Sequence, residues 1–178
     1  MDATVRPLTL VLSEFNAEPR RHSENSDGQS GALKRQIGIV AGMNFHVAWH
    51  RRPECIETGP EILISGVRTP TLHIPTAGLT LPWSLSFEEV ITSIERLDRM
   101  FAEPDGSFVW RQAAERQIDG QLYDCDGRLL YVELSGNYLS DDVIALEIAL
   151  NPQRDPLVVQ LLREGVVVAW EAWLGAQQ

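Results

Sequence analysis

The stretch Gln117–Ser135, QIDGQLYDCDGRLLYVELS, decides the reading of this chain. Apolar and polar residues alternate on both sides of Asp124-Cys125-Asp126-Gly127-Arg128, so two strands, Gln117–Asp124 and Arg128–Ser135, meet at a turn. Two registers can close it. A two-residue loop at Asp126-Gly127 sets Gly120 opposite Glu133 and Leu122 opposite Tyr131, mixing polar and apolar groups on both faces. A three-residue loop with Gly127 as the left-handed bulge residue sets Asp124 opposite Arg128. That register sorts Ile118, Leu122, Leu130, Val132 and Leu134 to one face and Asp119, Gln121, Tyr123, Leu129, Tyr131 and Glu133 to the other. A one-residue slip destroys the sorting, so the three-residue loop is the predicted one.

It makes Asp119 and Glu133 direct cross-strand neighbours, with Cβ atoms about 5 Å apart. Two carboxylates so placed repel unless a cation sits between them, an arginine intervenes or one keeps its proton. Asp119 and Glu133 are therefore the candidate metal ligands, an oxygen pair suited to Mg2+ or Mn2+. The competing reading is an exposed pair that splays into water or meets Arg116 or Arg128. No other cofactor is implied.

Outward from this hairpin, Ser86-Phe87-Glu88-Glu89 is a capping-box pattern, and Phe87, Val90, Ile91, Ile94, Leu97 and Phe101 follow at helical spacing. The pattern predicts a helix over 87–103, ended by Pro104-Asp105-Gly106, with a strand restarting at Ser107–Arg111. After the hairpin, Ser140 is placed to cap a helix with Asp141 and Asp142 in its first turn. Asp155-Pro156 is read as opening another helix closed by Gly165, and Val166–Ala169 as a strand buried on both faces.

Upstream, residues 16–35 are rich in polar residues and too poor in apolar ones to offset the entropy of ordering. Residues 1–35 are read as a flexible tail and disordered linker, with Leu8–Phe15 a strand returning to a sheet edge or a loose tail. Residues 36–85 have dense Gly and Pro punctuation and short apolar runs, which predicts a β-rich segment. Within it Met43, Phe45, Val47 and Trp49 alternate with Asn44, His46, Ala48 and His50. On a strand that spacing separates His46 and His50 by about 13 Å, which argues against a shared zinc and for histidines facing solvent. The predicted fold class is α+β. Its elements run helix, three-stranded antiparallel meander, helices and strand over 86–178, behind the β-rich segment and the linker.

Length and charge bound the function. At 178 residues with 44% hydrophobic content, the chain can bury about 70% of its unfolded surface as a domain of this size does. The net charge is -10, and residues 86–178 carry seventeen acidic against seven basic side chains. Nucleic-acid affinity comes largely from Lys and Arg neutralising phosphates, so nucleic acid is not an expected partner, nor is an anionic membrane. A basic protein partner is. Cys55 and Cys125 belong to no metal-binding or redox spacing and read as free thiols, and no apolar run approaches a membrane span or a secretory leader. The expectation is a cytoplasmic protein. Trp110, Trp170 and Trp173 read as core or interface aromatics, and P-loop, GxGxxG, GxSxG and EF-hand patterns are missing.

The order helix, three strands, helix, strand, with Ile118-Asp119 opening the second strand and Val132-Glu133-Leu134-Ser135 ending the third, resembles the core of the PD-(D/E)xK nuclease-like superfamily. The resemblance covers about residues 86–170. It implies a metal held by Asp119 and Glu133, and it places Ser135 where the family carries its catalytic lysine. The chain has one lysine, Lys34, in the linker, and arginine does not deprotonate to act as a base. The chain therefore reads first as a non-enzymatic protein-binding module. The alternative is a metal-dependent nuclease or phosphodiesterase with a degenerate site.

Overall fold

The computed structural model describes residues 43–177. In chain order the strands are β1 (Met43–Arg51), β2 (Glu57–Ile64), β3 (Val67–His73), β4 (Met100–Ala102), β5 (Ser107–Ala113), β6 (Arg116–Cys125), β7 (Arg128–Tyr138), β8 (Leu157–Leu161) and β9 (Val166–Ala169). A 3-10 turn, Thr76–Thr80, follows β3, and three short helices complete the fold: α1 (Phe87–Ile94), α2 (Ser140–Leu150) and α3 (Trp170–Gly175). All nine strands join one sheet in the order β2-β3-β9-β8-β1-β7-β6-β5-β4, every neighbouring pair antiparallel.

This corrects the predicted α+β class. The fold is mainly β, and the strands of 43–73 are not a layer preceding a separate α+β core. β1 sits in the middle of the sheet, between β7 and β8. Since β7 and β8 are each antiparallel to β1, they run in the same direction, and α2 makes the crossover between them. The predicted tail and linker at 1–35, and the apolar run Ile37–Val40, fall outside the described residues.

One face of the sheet is packed by the helices. Phe45, Val47 and Trp49 of β1, Phe108 and Trp110 of β5, Ile118 and Leu122 of β6, and Val132 and Leu134 of β7 join Val90, Ile94, Val143, Leu146, Leu150 and Trp173 in one core. Phe45, Trp49, Tyr138, Trp170 and Trp173 form its aromatic centre, with Phe45 edge-on to Tyr138 at 4.3 Å. The tryptophans expected in the core are there, Trp110 and Trp173 nearly fully buried.

Helix α1 starts as its capping box predicts: Ser86 Oγ accepts from the Glu89 N–H, and the Glu89 carboxylate accepts from the Ser86 N–H at 2.8 Å. It stops at Ile94, not 103. Arg99 takes a left-handed conformation, φ 59°, and turns Met100–Ala102 into the edge strand β4 beside β5. The Asp98 carbonyl accepts the Trp110 indole N–H at 3.0 Å, anchoring that reversal. Helix α2 begins at Ser140, but its cap is Asp142, whose carboxylate accepts the Leu139 N–H, while the Ser140 hydroxyl donates to the Gln177 carbonyl. The predicted helix after Pro156 is strand β8. Leu157, Val158, Val159 and Leu161 are all buried, a run that fits a sheet covered on both faces rather than an amphipathic helix.

Residues 76–83 pass over the C-terminal end of β1 and the start of β7. The His50 Nδ1–H donates to the Leu79 carbonyl at 2.8 Å, and Arg51 donates to the Pro82 carbonyl at 3.0 Å. Trp83 donates twice, from its backbone to Leu129 and from its indole to Leu130. This strap covers β8 and β9 on the side away from the helices, so Val158 and Val167 are buried there. The neighbouring strands β1, β7 and β6 keep part of that side open.

Candidate binding face

The β6–β7 hairpin closes with the two-residue turn and not with the predicted three-residue loop. Asp126 (φ 52°) and Gly127 (φ 75°) form a two-residue turn, with Cys125 opposite Arg128 and Asp124 opposite Leu129. Left-handed conformations at both central positions are the turn that matches strand twist, and Asp-Gly is a preferred pair for it. A bulge then inserts one extra residue, Leu130, before Tyr123 meets Tyr131. The bulge restores the sorting of faces that an uninterrupted two-residue register would lose. It also sends Leu129, not Leu130, into the core, and the carbonyls of both accept from Trp83.

The consequence for the predicted site is a correction. Glu133 lies opposite Gln121, and Asp119 lies opposite Ser135. The two carboxylates share a face but are diagonal, a relationship that sets Cβ atoms about 7–8 Å apart.

With β1 paired to the far side of β7, three strands direct a grid of nine side chains to the side of the sheet away from the helices, where Ala48 and His50 are buried. Its rows are His46, Ser135 and Asp119; Ala48, Glu133 and Gln121; His50, Tyr131 and Tyr123. Glu133 occupies the centre. The His46 Nε2–H donates to its Oε1 at 2.6 Å, and the Tyr123 hydroxyl donates to its Oε2 at 3.3 Å. Tyr123 stacks on Tyr131 with centroids 4.4 Å apart and planes 13° from parallel, and Tyr131 stacks on His50 at 5.2 Å. At the far edge Arg111 donates to the Gln117 side-chain oxygen, and the Gln117 amide donates to Asp119 at 2.8 Å. An open cleft of about 230 Å³ lies among Asp119, Gln121, Tyr123, Glu133 and Ser135.

Burial and charge set the protonation of this face. Desolvation, then the Glu133 charge and hydrogen bond, push the Tyr123 hydroxyl above its ordinary range. Desolvation and the neighbours Tyr123 and Glu133 do the same to Tyr131. Both phenols stay protonated at neutral pH, so Tyr123 remains a donor to the carboxylate. His50 is not the solvent-facing residue expected from β1. It is 4% exposed beneath the strap, and burial lowers its pKa against the opposing effect of its bonds to Leu79 and Gln160. His46 is the partly exposed one, and the two histidines contact different partners, as their strand spacing requires.

The carboxylates of this face are already engaged. Both Glu133 oxygens and one Asp119 oxygen already accept hydrogen bonds. Among the described residues no group of three His, Cys, Asp or Glu is placed to hold a metal. Ser135, at the position the resemblance gives to lysine, lines the same cleft but has no basic group of its own. The stacked tyrosines and the His46–Glu133 bond went unseen in the sequence. Half of their signal was there, in the polar alternation of His46 and His50, but the strand that completes the face is 87 residues away from it.

No protein-family model, curated protein or solved structure matches the chain. Among the described residues no helix is long and apolar enough to cross a membrane.

Proposed function

We propose that this chain is a non-enzymatic binding module that docks a basic protein segment on the open β1–β7–β6 face. The observation that carries the reading is Glu133 at the centre of that face, beside the stacked Tyr123–Tyr131 pair and diagonal to Asp119. Aromatic surface next to carboxylates is what an interface needs to hold a cationic segment by both apolar contact and charge. The excess of acids in residues 86–178 adds long-range attraction of the same sign. Arg111 at the rim is the opposing cation, and its guanidinium is already bonded to Gln117.

The test is binding of basic peptides to the intact chain across a salt series, for wild type and for Tyr123→Ala and Glu133→Gln. Binding that weakens with salt, and falls at least about fivefold in each variant, is expected of contacts contributing 1 kcal/mol or more. Wild-type protein that binds no basic peptide at low salt sinks the reading.

A further inference from the structure

We infer that the side chain this face selects from its partner is arginine in preference to lysine, an inference that rests on the binding reading above. Two features of the cleft distinguish the two cations. First, Tyr123 presents a flat surface: one side of its ring lies on Tyr131, its hydroxyl is tied to Glu133, and 36% of the residue remains exposed. A guanidinium is planar, weakly hydrated and stacks on such a ring, whereas an ammonium is a compact, strongly hydrated charge. Second, the two carboxylates are diagonal across β6 and β7 rather than opposed. A spacing of about 7–8 Å between their Cβ atoms suits a fork of five donors better than a point charge reaching one acid at a time.

The experiment compares two peptides of equal length and charge, one repeating Arg-Gly-Ser and one repeating Lys-Gly-Ser, titrated into the full-length protein at low salt. The arginine peptide is expected to bind at least about fivefold tighter, the scale of one stacked cation at a partly exposed site. Tyr123→Phe keeps the ring and should keep the preference. Tyr123→Ala and Tyr123→Leu should bring the ratio near one, with thermal unfolding confirming that both remain folded. Equal binding of the two peptides by wild type overturns the arginine inference and leaves the binding reading intact. A preference that survives in the folded Tyr123→Ala and Tyr123→Leu variants overturns the inference too. Failure of both peptides to bind overturns the two together.

Discussion

The His46 imidazole donates to Glu133 across the β1–β7 pair at 2.6 Å, joining two strands whose residues are 87 positions apart. The contact is short, but both side chains are about a third exposed, at 39% and 33%. Solvent screens a pair of this kind, and exposed pairs contribute about 0–1 kcal/mol. A double-mutant cycle with His46→Gln and Glu133→Gln should therefore give a coupling energy below about 1 kcal/mol in denaturant unfolding. A coupling of several kcal/mol would make this face part of the fold's scaffold and the variant tests above uninterpretable as binding tests.

Phe108 lies directly across from Gly120 on β5 and β6, and its ring covers the glycine so closely that a Cβ there would stand 2.1–2.5 Å from ring carbons. Phe108 is 2% exposed and has no room to retreat without disturbing the core. Gly120→Ala should destabilise the protein by about 1–3 kcal/mol, the usual scale of overpacking. Equilibrium denaturation measures it, and an unchanged midpoint would show that the ring moves freely.

His50 gives stability a pH dependence of definite sign. Its folded-state pKa is lowered from 6.5, chiefly by burial. Below 6.5 the unfolded chain takes up the proton more readily than the folded one, so the contribution is present above 6.5 and lost as pH falls towards the lowered value. The Nδ1–H is committed to Leu79. Nε2 faces the Gln160 amide at 3.0 Å, which can present its NH2 to a neutral ring only in the turned orientation. Unfolding free energy should decline between pH 7 and 5 in wild type and decline less steeply in His50→Gln. Parallel pH slopes in the two proteins would remove His50 from the explanation.

How much of this was legible in the sequence depends on the range of the interaction concerned. The Ser86–Glu89 box and the period-two runs on either side of Asp126-Gly127 are local, and each leaves a signature in consecutive residues. The turn itself is not settled locally: the same residues admit the predicted three-residue loop, which wrongly sorts Leu129 away from the core it joins. The bulge at Leu130 left no such signature, because the contacts that accompany it come from Trp83, more than forty residues upstream. The shorter turn moves Glu133 from Asp119 to Gly120, and the extra residue moves it on to Gln121. The larger error, an α+β class with a separate β segment, has the same origin. Nothing in Met43–Arg51 announces that it will insert between β7 and β8, since strand order depends on partners distant in sequence. Pro156 misled for a different reason: it opens helices but equally precedes a strand, and the β-branched Val158 and Val159 next to it decided for the sheet.

The carboxylates also allow a direct test of the cation alternative. With Glu133 bonded to His46 and Tyr123, and Asp119 to Gln117, a metal would have to displace existing partners, and among the described residues no three His, Cys, Asp or Glu side chains are placed to hold one. Calorimetric titration with Mn2+ is expected to show no saturable heat. Saturable heat that disappears in Asp119→Ala would restore the metal site and, with it, the nuclease-like alternative.

Tyr138 supplies a prediction of unusual sign. Its ring packs edge-on to Phe45 and beside Trp173 in the aromatic core, and its hydroxyl is buried with no hydrogen-bond partner among the described residues. Desolvation pushes its pKa well above the ordinary phenol range, so the group is a neutral donor stripped of water and left unpaired. Removing a hydroxyl that makes a hydrogen bond costs about 0.5–1.5 kcal/mol; removing an orphaned one recovers its desolvation penalty instead. Tyr138→Phe keeps the ring and its packing. It should leave stability unchanged or raise it by up to about 1 kcal/mol. A loss of 1 kcal/mol or more in denaturant unfolding would mean that the hydroxyl has a partner in the folded protein, and the search for that partner would begin at the Phe45–Trp173 end of the core.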